Sequence, residues 1–99
     1  MTVNIQYVDV DVSEALSTYT NGKLEKLSNK YEFLINAQVY FKKEENEHDK
    51  GKICNIELSL PGPRIFATSN EKNYEMAVKE TINDIERQLK KRKQVFKPY

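Results

Sequence analysis

The chain is short of the residues from which most active sites are assembled. One cysteine, Cys54, excludes an internal disulfide framework and a cysteine-based zinc cluster. One histidine, His48, leaves a histidine metal centre or a Ser-His-Asp triad with little to work with. Three scattered glycines, Gly22, Gly51 and Gly62, exclude a glycine-rich phosphate cradle. No run approaches the roughly 18 apolar residues of a membrane span, and the opening MTVNIQYVDV lacks the charged-then-apolar order of a signal peptide. These absences predict a cytoplasmic protein that is not an enzyme, needs no cofactor or metal, and has no membrane or small-molecule partner.

Charge is abundant instead. Of 99 residues, 31% are charged, against about 25% in an average domain. The net charge of +1 conceals an asymmetry. Residues 87–99 (RQLKKRKQVFKPY) carry six basic side chains and no acid, so residues 1–86, with ten basic and fifteen acidic, carry −5. Within a Debye length of about 8 Å, such clustering matters more than the total.

Periodicity orders the chain. Residues 2–7 alternate as a half-buried strand, and Asp11 or Ser13, with Glu14, can open a helix reaching about Lys30. Leu16, Leu24, Leu27 and Tyr31 form its apolar stripe. A second strand spans about 36–42 and a third about 52–60, joined by the polar loop 43–51. Leu60-Pro61-Gly62-Pro63 reads as a type II turn into a fourth strand at about 64–68. Ser69 or Asn70 is then expected to cap a helix running to roughly Lys93, with Tyr74, Val78, Ile82, Ile85 and Leu89 inward. The fold class is α+β: a two-layer β-α-β-β-β-α sandwich, four strands with two helices on one face, similar to double-stranded RNA-binding domains. Residues 1–94 form the expected single domain and 95–99 a short C-terminal tail.

Helical geometry at 100° per residue segregates the cations. With Leu16 at 0°, Lys23, Lys26 and Lys30 fall at about 340°, 280° and 320°, opposite Glu14 and Glu25. On the second helix, with Ala77 at 0°, Lys79 and Lys90 fall at about 200° and 220° and Arg87 at about 280°, while Glu80, Asp84 and Glu86 are interspersed among the earlier turns. Helices packed side by side would bring a basic stripe from each together, forming a groove suited to a phosphate backbone. Two ordinary amphipathic helices with solvated flanks is the competing reading.

Several segments resemble the ribosome hibernation-promoting factors, also called the sigma-54 modulation or protein Y family. They are the strand and helix start VNIQYVDVDVSEAL, the spacing Lys23-Leu24-Glu25-Lys26-Leu27, the turn Leu60-Pro61-Gly62-Pro63-Arg64-Ile65-Phe66-Ala67, and the close Arg87-Gln88-Leu89-Lys90-Lys91-Arg92-Lys93. The resemblance implies a stress-response translation inhibitor on the 30S subunit and 70S ribosome, touching chiefly 16S rRNA phosphates. There it would block tRNA and mRNA at the decoding region. It implies rRNA contacts from Lys23, Lys26, Lys30, Arg87, Lys90 and Lys93, with Lys91 and Arg92 in the same turn. Lys79 is a further candidate, although many members carry aspartate there and lysine at the position of Asp84. Long members add a ribosome-pairing domain; this chain is similar to a short form, for which a separate dimerising factor would be needed.

The remaining candidates have plainer readings. Cys54 alternates with inward residues and reads as a buried thiol, and His48 as a solvated loop side chain. Glu44 and Glu45 lack the burial of a catalytic pair. Tyr40 and Phe66 are open to cross-strand packing or to base stacking. Two other functions stay open: a generic double-stranded RNA binder, and a protein-interaction module regulating transcription.

Overall fold

The computed structural model describes residues 1–45 and 49–96. Strand β1 (Thr2–Tyr7) turns Val3, Ile5 and Tyr7 toward the core. Ser13 stops the chain in an extended conformation, and its Oγ accepts the Leu16 N–H at 3.1 Å. That oxygen caps α1 (Glu14–Lys30), so of the two expected caps Ser13 rather than Asp11 makes the bond. Glu14 in the first turn and Lys30 in the last both suit the helix dipole.

Strands β2 (Asn36–Lys43), β3 (Lys52–Ser59) and β4 (Ile65–Glu71) follow, then α2 (Tyr74–Phe96). The sheet order is β1-β2-β3-β4. β1 runs parallel to β2, with α1 as the crossover between them, and the two later pairings are antiparallel. The register sets Ile5 beside Val39, Val39 beside Ile56 and Ile56 beside Ala67, so one face of the sheet is apolar throughout. Both helices cover that face. Leu16, Leu24 and Leu27 from α1 and Ala77, Val78, Ile82, Ile85 and Leu89 from α2 are buried against Ala37, Phe41, Cys54, Leu58 and Ile65. The β-α-β-β-β-α sandwich is the expected one.

Three local differences have physical causes. β4 extends to Glu71 because β3 is long enough to pair with it, setting Cys54 beside Ser69 and Lys52 beside Glu71. Ser69 and Asn70 are therefore strand residues, and neither caps α2. Asn73 does so, its Oδ1 accepting the Met76 N–H at 2.8 Å. Two hydroxyls, Thr20 and Thr81, lie fully buried within the helices, bonded to the Leu16 and Ala77 carbonyls one turn earlier. Thr81 also reaches the Cys54 carbonyl at 3.3 Å, tying α2 to β3.

The turn after β3 is as expected. Gly62 has φ +91, the left-handed value that the third position of a type II turn demands. Gly51, at φ +130, closes the β2–β3 hairpin by accepting the Glu44 N–H at 2.8 Å; a Cβ there would collide with the Glu44 carbonyl oxygen. Glu44 and Glu45 are exposed, whereas His48 and residues 97–99 of the expected tail lie outside the described residues.

Candidate nucleic-acid interface

The two amphipathic helices pack side by side, and their outer flanks form a groove. Its first stretch is lined by Lys23, Lys26 and Lys30 from α1 and by Ile82, Asn83 and Glu86 from α2, over Leu27. The second continues past Lys30 and Tyr31 to Lys90, Lys93 and Gln94. Five of the nine predicted contacts, Lys23, Lys26, Lys30, Lys90 and Lys93, are thereby brought along two adjoining depressions that share Lys30.

Aromatic rings organise these cations. Lys23 Nζ lies 5.4 Å from the centre of the Tyr19 ring. Tyr31, only 2% exposed, takes Lys30 at 5.8 Å and Lys93 at 5.7 Å, one from each helix. Such contacts contribute about 0.5–1 kcal/mol at open sites. They also place the ammonium heads at the groove while the stems cover its apolar floor.

The other four predicted residues lie elsewhere. Lys79 shares the angular sector of Lys90 but stands three turns nearer the start of α2, exposed and outside the groove lining. Arg87 is exposed and lies 3.8 Å from Asp84. Lys91 is exposed on the outer side of α2. Arg92 points the other way, toward the β3–β4 turn, where its Nη1 donates to the Pro61 carbonyl at 3.0 Å and lies over Gly62. It thus anchors the turn to the end of α2. The wheel carried a signal for this, since Arg92 falls at about 60°, on the sheet-facing side.

Glu86 was counted among the interspersed acids and is the main omission from the predicted site. Its carboxylate accepts the Lys30 ammonium across the groove and lies 3.4 Å from the Tyr31 hydroxyl. The hydrogen bond from Lys30 is the chief reason its pKa falls below the usual carboxylate value, with Lys90 assisting through its charge. The same bond raises the pKa of Lys30. A depressed carboxylate pKa stabilises the fold above the unfolded value of 4.5 and ceases to do so as pH falls through the folded value. Glu86→Gln should therefore lower the thermal midpoint at pH 7 by a few degrees or less, and that gap should narrow at pH 3. A gap of equal size at both pH values would show that the ion pair is not its source.

The rest of the surface offers less chemistry. Cys54 is fully buried, and burial pushes its thiol up to about 12, with the Thr81 hydroxyl acting in the opposite direction. It is a core side chain, as its alternation predicted. Among the described residues no cluster of three or more histidine, cysteine or carboxylate groups is placed to hold a metal, and no helix is long and apolar enough to cross a membrane. On the open sheet face Phe66 is 63% exposed and Tyr40 half-buried, so the base-stacking option retains its aromatics but few cations.

The sequence and fold both have counterparts among known proteins. The ribosome hibernation promoting factor of Pseudomonas putida is 28% identical over 94 residues, covering 95% of this chain and 88% of that one. A ribosomal subunit interface protein from Coxiella burnetii superposes with a TM-score of 0.82 at 26% identity, covering 95% of this chain and 99% of its counterpart. The N-terminal domain of Thermus thermophilus Protein Y gives 0.78 at 19% identity, over 92% and 98% of the two chains, a likeness of fold alone. The profile of the Sigma 54 modulation protein / S30EA ribosomal protein family matches residues 3–97. With nearly its whole length matched, and with the strand order and helix pair in place, this chain belongs to that family.

Proposed function

We propose that residues 1–94 act as one ribosome-binding domain that seats on the small subunit through the α1–α2 groove. Bound at the decoding region, it would exclude tRNA and mRNA and hold idle ribosomes inactive. The family is one of ribosome-binding proteins without catalysis, and ribosome association is the coarse role it supports. The observation that carries the finer reading is the convergence of Lys23, Lys26, Lys30, Lys90 and Lys93 from two helices into one groove. Five cations along two adjoining depressions are matched to the closely spaced phosphates of folded RNA, and among the described residues no comparable cluster lines the sheet face. The action is occupancy: the sheet holds two helices at fixed spacing, and the helices present charge.

Co-sedimentation with purified 30S particles, at two salt concentrations and with tRNA as competitor, tests this reading. Binding should weaken steeply with salt, by about 10³–10⁵ between 50 and 200 mM if 6–10 phosphates are engaged as on duplex DNA, and tRNA should displace the protein. Binding that ignores tRNA would move the site away from the decoding region. Equal affinity for any RNA duplex would favour the generic RNA binder.

A further inference from the structure

A carboxylate at the centre of a phosphate-binding groove works against affinity, so its presence calls for a reason. Glu86 accepts a hydrogen bond from Lys30 and lies in the same depression as Lys23 and Lys26, with Lys90 and Lys93 in the adjoining one. As a result Lys30, the cation reaching across the groove, is already neutralised within the protein. The remaining charge is divided into two rails offset along the groove, Lys23 and Lys26 on the α1 wall of its first stretch and Lys90 and Lys93 on the α2 wall of its second. Between them lies a net-neutral strip containing a fixed anion.

We infer that Glu86 is a specificity determinant, selecting RNA whose phosphates straddle the groove on two separate backbone segments and rejecting a single strand laid along its floor. A continuous strand of uniform charge must pass over the Glu86 carboxylate, where it meets like-charge repulsion and finds Lys30 occupied. Two adjacent backbone segments of a folded RNA can each follow one rail and avoid the acid. Discrimination of this kind comes from a repulsive element set against the wrong ligand rather than from extra attraction to the right one. The inference rests on the proposed RNA-binding role of the groove and adds the class of RNA that it accepts.

Glu86→Gln keeps the side-chain shape, removes the anion and releases Lys30. Three ligands would be titrated with the wild-type and variant proteins: purified 30S particles, a 16-base-pair RNA duplex and a 20-nucleotide oligouridylate. The variant should bind the oligouridylate about tenfold more tightly, with a salt slope steeper by about 0.7, the increment of one added phosphate contact on a single strand. Its affinity for 30S and for the duplex, each of which offers two backbone segments, should change less than threefold, so the preference over the single strand collapses. Asp84→Asn changes net charge equally but lies outside the groove lining, and it should leave the preference intact. The inference is overturned if Glu86→Gln gains nothing on the oligouridylate, if it gains as much on the duplex, or if Asp84→Asn gains as much on the oligouridylate. Failure of the wild-type protein to bind 30S would sink the ribosomal reading separately, while the comparison on simple RNAs would still decide the role of Glu86.

Discussion

Reversing one charge on each rail of the groove, Lys26→Glu with Lys90→Glu, should weaken binding to 30S particles at least a hundredfold while leaving the fold in place. Both side chains are exposed and neither takes part in an ion pair across the helices, so surface substitution should cost little stability. On the proposed reading each reversal would remove a phosphate contact and install a repulsion in the same position. Two such exchanges amount to a loss of about 3 kcal/mol or more, equivalent to a factor of about 100. Arg87→Glu with Lys91→Glu is the informative control, because it changes net charge equally on parts of α2 outside the groove lining. That pair should reduce affinity by less than about tenfold, through the long-range field alone. Equal losses from both pairs, at matched unfolding midpoints, would mean that the contact surface wraps around α2 and is not confined to the groove.

How far this groove was legible beforehand depended on which kind of information each residue carried. Lys23, Lys26 and Lys30 fall on one stripe by helical arithmetic, and Leu16, Leu24 and Leu27 identify the buried side beside it. Those positions were readable because they depend only on the local repeat. Glu86 was not, although the same arithmetic sets it at about 180°, between Lys93 and Lys90. Its partner Lys30 stands 56 residues away, and their meeting depends on how α1 is rotated against α2, a product of tertiary packing. Residues 69–71 at the end of β4 were missed for a related reason. Asn70 in their midst accepts the Gly51 N–H at 2.6 Å through its side chain, so the segment has none of the apolar alternation that marks a strand. Thr20 and Thr81 lay hidden in the same way: a threonine in a helix can return its hydroxyl to the carbonyl one turn back and be buried without another partner.

Phe41 should prove the most sensitive position for stability, and it packs against residues that anchor both helices of the groove. Its ring is fully buried, tilted against Tyr7 with centroids 5.1 Å apart and edge-on to Tyr74 at 5.5 Å. Each of those tyrosines fixes the start of a helix. Tyr7 donates its hydroxyl to the Ser13 carbonyl at 2.7 Å and shares a 2.8 Å hydrogen bond with Ser17, while Tyr74 donates to the Lys42 carbonyl at 2.9 Å. Phe41 on the central strand β2 therefore packs against the two tyrosines that anchor the starts of α1 and α2, the helices whose later turns line the groove. Phe41→Ala should cost about 3–5 kcal/mol from lost burial, the cavity and two aromatic contacts. Against a typical total of about 5–15 kcal/mol, that is enough to leave the domain partly unfolded at 37 °C. Phe41→Leu retains most of the volume and should cost only about 1–2 kcal/mol, measured by urea unfolding. The folded leucine variant is the decisive one for function, because the two tyrosines lose their ring contacts while every groove lysine is retained. If helix spacing matters, its affinity for 30S falls severalfold under conditions where the protein is fully folded. If affinity is unchanged, the cations alone recruit the RNA and the aromatic contacts serve only the core.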